Sequence, residues 1–75
     1  MRRFIDSTGA EWDVLAGRES WGTVCALFVP VRRPDAAIRQ TVLPGNGTEA
    51  AELALDEMNE HELNALLQRS TIKES

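Results

Sequence analysis

Apolar and polar residues alternate from Glu11 to Val14 within a front half of short strand-like runs, and after residue 47 apolar residues recur every three to four. The first period is that of a strand and the second that of a helix. Arg2 to Asp6 reads as a short opening strand. Asp6-Ser7-Thr8-Gly9 is a turn signal, with Gly9 free to take positive φ. Glu11 to Ala16 follows, with Trp12, Val14 and Ala16 on one face. A tight hairpin joins the two.

Residues 17–20 read as the next connection. Trp21 and Gly22 lead into Thr23 to Val29, an almost continuously apolar run. Such a run suits a central strand covered on both faces. Pro30 and Pro34 bound a loop, since proline disrupts ladder pairing. Ala37 to Leu43 is expected to form a fourth strand with Ile38 and Val42 inward. The alternative is three strands with 37–43 as a loose edge.

Pro44-Gly45-Asn46-Gly47 breaks the pattern. Thr48 is the expected N-cap of a first helix, with Glu49 in its first turn, where a carboxylate suits the dipole. Ala51, Ala54, Leu55 and Met58 share one face, and Leu53 lies off it. Asn59 and Glu62 have capping-box spacing, and Met58 with Leu63 forms the accompanying hydrophobic staple of a second helix. Leu63, Leu66 and Leu67 supply its apolar stripe. Arg69 suits its negative end. Residues 70–75 are expected to fray. The fold class is α+β: a four-stranded, mostly antiparallel meander sheet followed by two short C-terminal helices. All of it forms one domain over residues 1–75, with strands in 1–43 and helices in 48–69.

Seventy-five residues make a thin core, so such a chain leans on a staple or a partner. Cys25 is the only cysteine and His61 the only histidine, which excludes an internal disulfide and disfavours zinc. No cofactor motif is present. The longest apolar run is far short of the ~20 residues that span a bilayer. Acidic residues interrupt the N-terminus before a signal-peptide core can form, so the expected location is cytoplasmic. Peripheral association with a membrane complex stays open.

The net charge of −4 is unevenly placed. Residues 1–40 hold six arginines against five acids, while residues 41–75 hold seven acids against Arg69 and Lys73. Net acidity disfavours nucleic acid as a partner, because phosphate attraction dominates that affinity.

The segment Phe4-Ile5-Asp6-Ser7-Thr8-Gly9-Ala10-Glu11-Trp12-Asp13-Val14 carries the pattern Phe-x-Asp-x-x-Gly-x-x-Trp-x-Val. It resembles the opening hairpin of small uncharacterised bacterial proteins that end in a Leu-rich helix similar to residues 60–67. The resemblance implies the fold just described. It brings no catalytic or ligand-binding residue with it.

The candidate chemistry is sparse. His61 lacks a second ligand at metal spacing and reads as an exposed helix residue. Cys25 sits in the most apolar strand, where core packing outweighs thiolate chemistry. The carboxylates of residues 49–62 lack the spacing of a calcium loop. The turn before the first helix lacks the lysine and glycine spacing of a P-loop. The expectation is a non-enzymatic interaction protein, a small accessory or regulatory subunit of a larger bacterial assembly. Its partner is another protein or a further copy of the chain. The partner-binding candidates are Trp21, an interface-enriched type, and the basic set Arg2, Arg3, Arg18, Arg32 and Arg33. The alternative is a nucleic-acid-binding module using a sheet face and the Arg32/Arg33 loop.

Overall fold

The computed structural model describes residues 1–18, 22–45 and 47–73. Strands β1 (Arg2–Ile5), β2 (Glu11–Arg18), β3 (Val24–Pro30) and β4 (Arg39–Val42) precede helices α1 (Thr48–Glu57) and α2 (Glu60–Arg69), and β5 (Thr71–Ile72) closes the chain. The sheet runs in the order β1-β2-β3-β4-β5, antiparallel at every step. The α+β class and the meander are as the sequence predicts. The fifth strand is a correction. Thr71 and Ile72 do not fray but pair with Gln40 and Arg39, and the Lys73 N–H donates to the Ile38 carbonyl at 2.8 Å. Glu74 and Ser75 lie outside the described residues.

Both helices lie on one face of the sheet. Phe4, Trp12, Val14, Val24, Ala26 and Phe28 form the strand side of the core, against Ala51, Leu55, Leu63, Leu66 and Leu67 of the helices. Phe28 meets Phe4 and Trp12 edge-on, with ring centroids 6.1 and 6.4 Å apart. That offset geometry favours aromatic pairs beyond their buried area.

β2 runs two residues past the predicted end. Gly17 pairs with Cys25, two pairs beyond Leu15–Leu27 on the same face, and Leu27 lies over it. A Cβ on Gly17 would come within 2.7 Å of Leu27 Cδ1, so the absent side chain makes room for a neighbour rather than ending the strand.

β4 faces the opposite way from the reading that put Ile38 and Val42 inward. Pairing of Phe28 with Arg39 and Ala26 with Thr41 turns Arg39 and Thr41 to the helices. Leu43 continues that side and is buried. Ile38 and Val42 are 40% and 65% exposed. A one-residue change of parity reverses every side chain of a strand, and the interaction that sets it is non-local. The Arg39 guanidinium donates to Ser70 Oγ at 2.8 Å and to the Ser70 carbonyl at 2.7 Å. Ser70 is the buried C-cap of α2.

The helix caps are mixed. Asn59 Oδ1 accepts from the Glu62 N–H at 2.8 Å, and Glu62 Oε1 accepts from the Asn59 N–H at 3.0 Å, completing the predicted capping box. Leu63 is fully buried and Met58 packs beside the core. For α1, Thr48 is the first helical residue and not the cap. Gly47 holds that position, with no side-chain cap bond. Arg2 instead closes the other end of α1, donating to the Asp56 and Met58 carbonyls at 2.9 and 2.8 Å.

Candidate functional site

The opening motif is a structural device. Asp6 accepts from the Thr8 N–H and hydroxyl at 2.8 and 2.6 Å, from the Ala10 N–H at 3.0 Å and from the Trp12 indole N–H at 2.9 Å. Gly9 takes φ 88° in the turn, and its N–H donates to the Asp6 carbonyl. Phe4 and Val14 are core residues. All five fixed positions of Phe-x-Asp-x-x-Gly-x-x-Trp-x-Val therefore build the hairpin. Partial burial pushes the Asp6 carboxyl upward, yet the four hydrogen bonds outweigh it and hold the pKa at about 2.

The arginines expected to contact a partner are largely engaged within the chain. Arg2 caps α1, as above. Arg3 forms a two-point contact with Asp13, at 2.9 and 3.2 Å, and lies 3.6 Å from Glu11. The hydrogen bond from Arg3 lowers the Asp13 carboxyl below its ordinary pKa, and the same bond raises that of Arg3. Arg32 donates to Glu11 at 2.7 Å. Arg33 stacks on Trp12, 4.5 Å from the ring centre, and donates to the Glu11 carbonyl at 2.9 Å. Arg18 is exposed at the end of β2. Trp21 lies outside the described residues. The structure thus gathers Arg3 and Arg32 with Glu11 and Asp13 into one ion-paired cluster, while Arg2 and Arg33 serve the fold.

That cluster borders a surface which the arginine-based reading missed. The register of the sheet assigns every second residue to the face away from the helices. There Arg3, Asp13 and Val29 fall in one row, Leu15, Leu27 and Gln40 in the next, and Gly17, Cys25 and Val42 in the third. An antiparallel sheet with one open face ordinarily alternates apolar inside and polar outside. This face breaks the rule at its centre. On β3 it presents Cys25, Leu27 and Val29, with no polar residue among them. Cys25 is buried, Leu27 and Val29 are half-exposed, and Val42 is largely exposed. The sequence signal was the unbroken apolar run of β3, which predicts cover on both faces, whereas the helices supply it on only one.

Other chemistry is thin. His61 is exposed on α2. Among the described residues no group of three His, Cys, Asp or Glu side chains could hold a metal ion, and no helix is long and apolar enough to cross a membrane. A shallow cleft of about 330 Å³ lies between α1 and the loop before it, lined by Leu43, Pro44, Ala50, Ala54 and Met58 among others. Among the described residues it offers no polar side chain for orienting a reactant. No protein-family model, curated protein or solved structure matches the chain.

Proposed function

We propose that the chain is a non-catalytic protein–protein interaction module, a small accessory or regulatory subunit that docks through the helix-free face of its sheet. The observation that carries this reading is the central strand. β3 is apolar on both faces; the helices cover one, and on the other, among the described residues, Cys25 is buried while Leu27 and Val29 stay half-exposed. Burying the half-exposed Leu15, Leu27 and Val29 and the exposed Val42 would release apolar surface from water at about 25 cal/mol per Å². The paired charges of Arg3, Glu11, Asp13 and Arg32 lie at the border of this patch, the usual place for polar groups around an interface core.

The arginines favour protein over nucleic acid as the partner class. A phosphate would have to displace Asp13 or Glu11 from Arg3 and Arg32, and Arg2 and Arg33 are held by backbone carbonyls.

The test is recovery of partners from the native host by the tagged chain and by its Leu27→Lys variant. A stoichiometric protein retained by the first and lost by the second supports the reading. Equal retention by both, or retention of nucleic acid alone, contradicts it.

A further inference from the structure

We infer that the cleft along α1 receives a basic amphipathic helix of another protein. This surface is separate from the helix-free sheet face, because α1 packs on the other side of the sheet. α1 carries more apolar surface than its own sheet uses. Ala51 and Leu55 are buried against the strands, and one such stripe is all that packing requires. Ala50, Leu53 and Ala54 form a second apolar row, three and four positions apart and so adjacent on the helix surface. Ala50 and Ala54 are exposed, and Leu53 is 63% exposed. Met58, the C-cap of α1, extends the row by one turn. Ala50, Ala54 and Met58 wall the cleft of about 330 Å³, with Leu43 and Pro44 also lining it. A lone exposed leucine needs no explanation, but Leu53 continues a concave apolar bed.

The shape of the bed suits a helix. Ala50 and Ala54, one turn apart, let a second helix approach to about 8 Å between axes. The ten residues of α1 span about 15 Å, enough for partner anchors at the spacing i, i+4 and i+7. An extended peptide would instead need unpaired strand backbone to bond with, and the side of a helix presents none.

Charge fixes the kind of helix. Glu49 precedes Leu53 by four positions, and Asp56 and Glu57 follow it by three and four, so three carboxylates surround the exposed leucine. Among the described residues none of these carboxylates has an ion pair or a hydrogen bond within the chain. Arg2 reaches the end of α1 but donates to the backbone carbonyls of Asp56 and Met58. α1 itself carries no Lys or Arg. The complement is a helix whose apolar anchors are flanked by Lys or Arg, which the carboxylates attract while they repel acidic helices. The border of the sheet face differs, since Arg3 and Arg32 neutralise Glu11 and Asp13 there.

Selection on the purified full chain from a display library of random peptides tests this, with peptides of about 16 residues, about 24 Å long as helices. The enriched peptides are expected to carry apolar residues at helical spacing flanked by Lys or Arg. Fluorescence anisotropy then measures an enriched peptide against wild type, Ala54→Lys and Leu27→Lys. Ala54 is exposed and lysine is a good helix former, so Ala54→Lys keeps the fold, as circular dichroism will verify. This variant is expected to raise the Kd at least tenfold, while Leu27→Lys leaves it unchanged. Salt at about 0.5 M should weaken binding severalfold by screening the carboxylates. Enriched peptides without basic residues or helical spacing, no enrichment at all, or binding indifferent to Ala54→Lys would overturn the inference. Binding lost on Leu27→Lys but kept on Ala54→Lys would overturn it too, while supporting the sheet face as a docking surface.

Discussion

The indole N–H of Trp12 donates to the carboxylate of Asp6 at 2.9 Å, tying the first residue after β1 to the second residue of β2. The same carboxylate organises the turn between them, and the same indole carries Arg33 on its face. Asp6→Ala is expected to destabilise the chain by about 2 kcal/mol, the order of losing charge-assisted hydrogen bonds. Trp12→Phe should cost less. The double variant should cost less than the two combined, with a coupling of about 0.5 kcal/mol or more, measurable by urea unfolding.

The low pKa of Asp6 makes stability depend on acidity. Its folded value of about 2 lies below the roughly 3.9 of an unfolded aspartate. The folded state therefore holds this proton less tightly than the unfolded state. The contribution is complete above about pH 4 and is lost as pH falls toward 2. Asp13, also lowered, acts in the same direction. Thermal unfolding followed between pH 5 and pH 2 should show a steep decline in wild type and a shallower one in Asp6→Asn.

Arg39 and Ser70 make a long-range clamp, 31 positions apart in the chain. Arg39→Ala strands the carbonyl of a buried C-cap residue, which costs about 1–3 kcal/mol. Arg39→Lys should recover only part of that, since a point charge cannot reproduce the two-point contact. Hydrogen exchange should locate the loss at the Lys73 N–H, whose partner is the carbonyl beside Arg39.

The capping box gives a local test. Asn59→Ala should lower stability by about 1 kcal/mol. Glu62→Gln, which keeps a side-chain acceptor for the Asn59 N–H, should cost clearly less. Equilibrium unfolding of the two variants against wild type checks the order.

Gly17→Ala joins fold to function. The new Cβ would displace the Leu27 side chain, which is half-exposed and free to move away from it. Stability should change by less than about 1.5 kcal/mol. Retention of the docking partner should weaken more clearly, because Leu27 sits in the middle row of the sheet face.

These relationships also explain what the sequence revealed and what it hid. The hairpin, the central strand and the second helix were legible because their signals are local: a turn with Gly9, an apolar run, and Asn59 three residues before Glu62. The facing of β4 was not. Ile38 and Val42 look like the inward set, and only the contact of Arg39 with Ser70, distant in sequence, shows why a charged residue turns toward the helices. The same limit applied to the arginines. Composition marked Arg2, Arg3, Arg32 and Arg33 as surface cations, yet their partners are carbonyls and carboxylates brought close by the sheet register. The apolar face was half visible, as the unbroken run of β3. Which side the helices would leave open depends on tertiary packing.

The most direct test of the docking face is methyl-resolved NMR of the full chain alone and with the protein it retains from its native host. Shifts on adding the partner should gather on Leu15, Leu27, Val29 and Val42, while the helix-side methyls of Leu55, Leu63 and Leu66 stay in place. Shifts centred instead on Leu53, exposed on α1, or no shift at any methyl, would contradict the assignment of the sheet face as the docking surface.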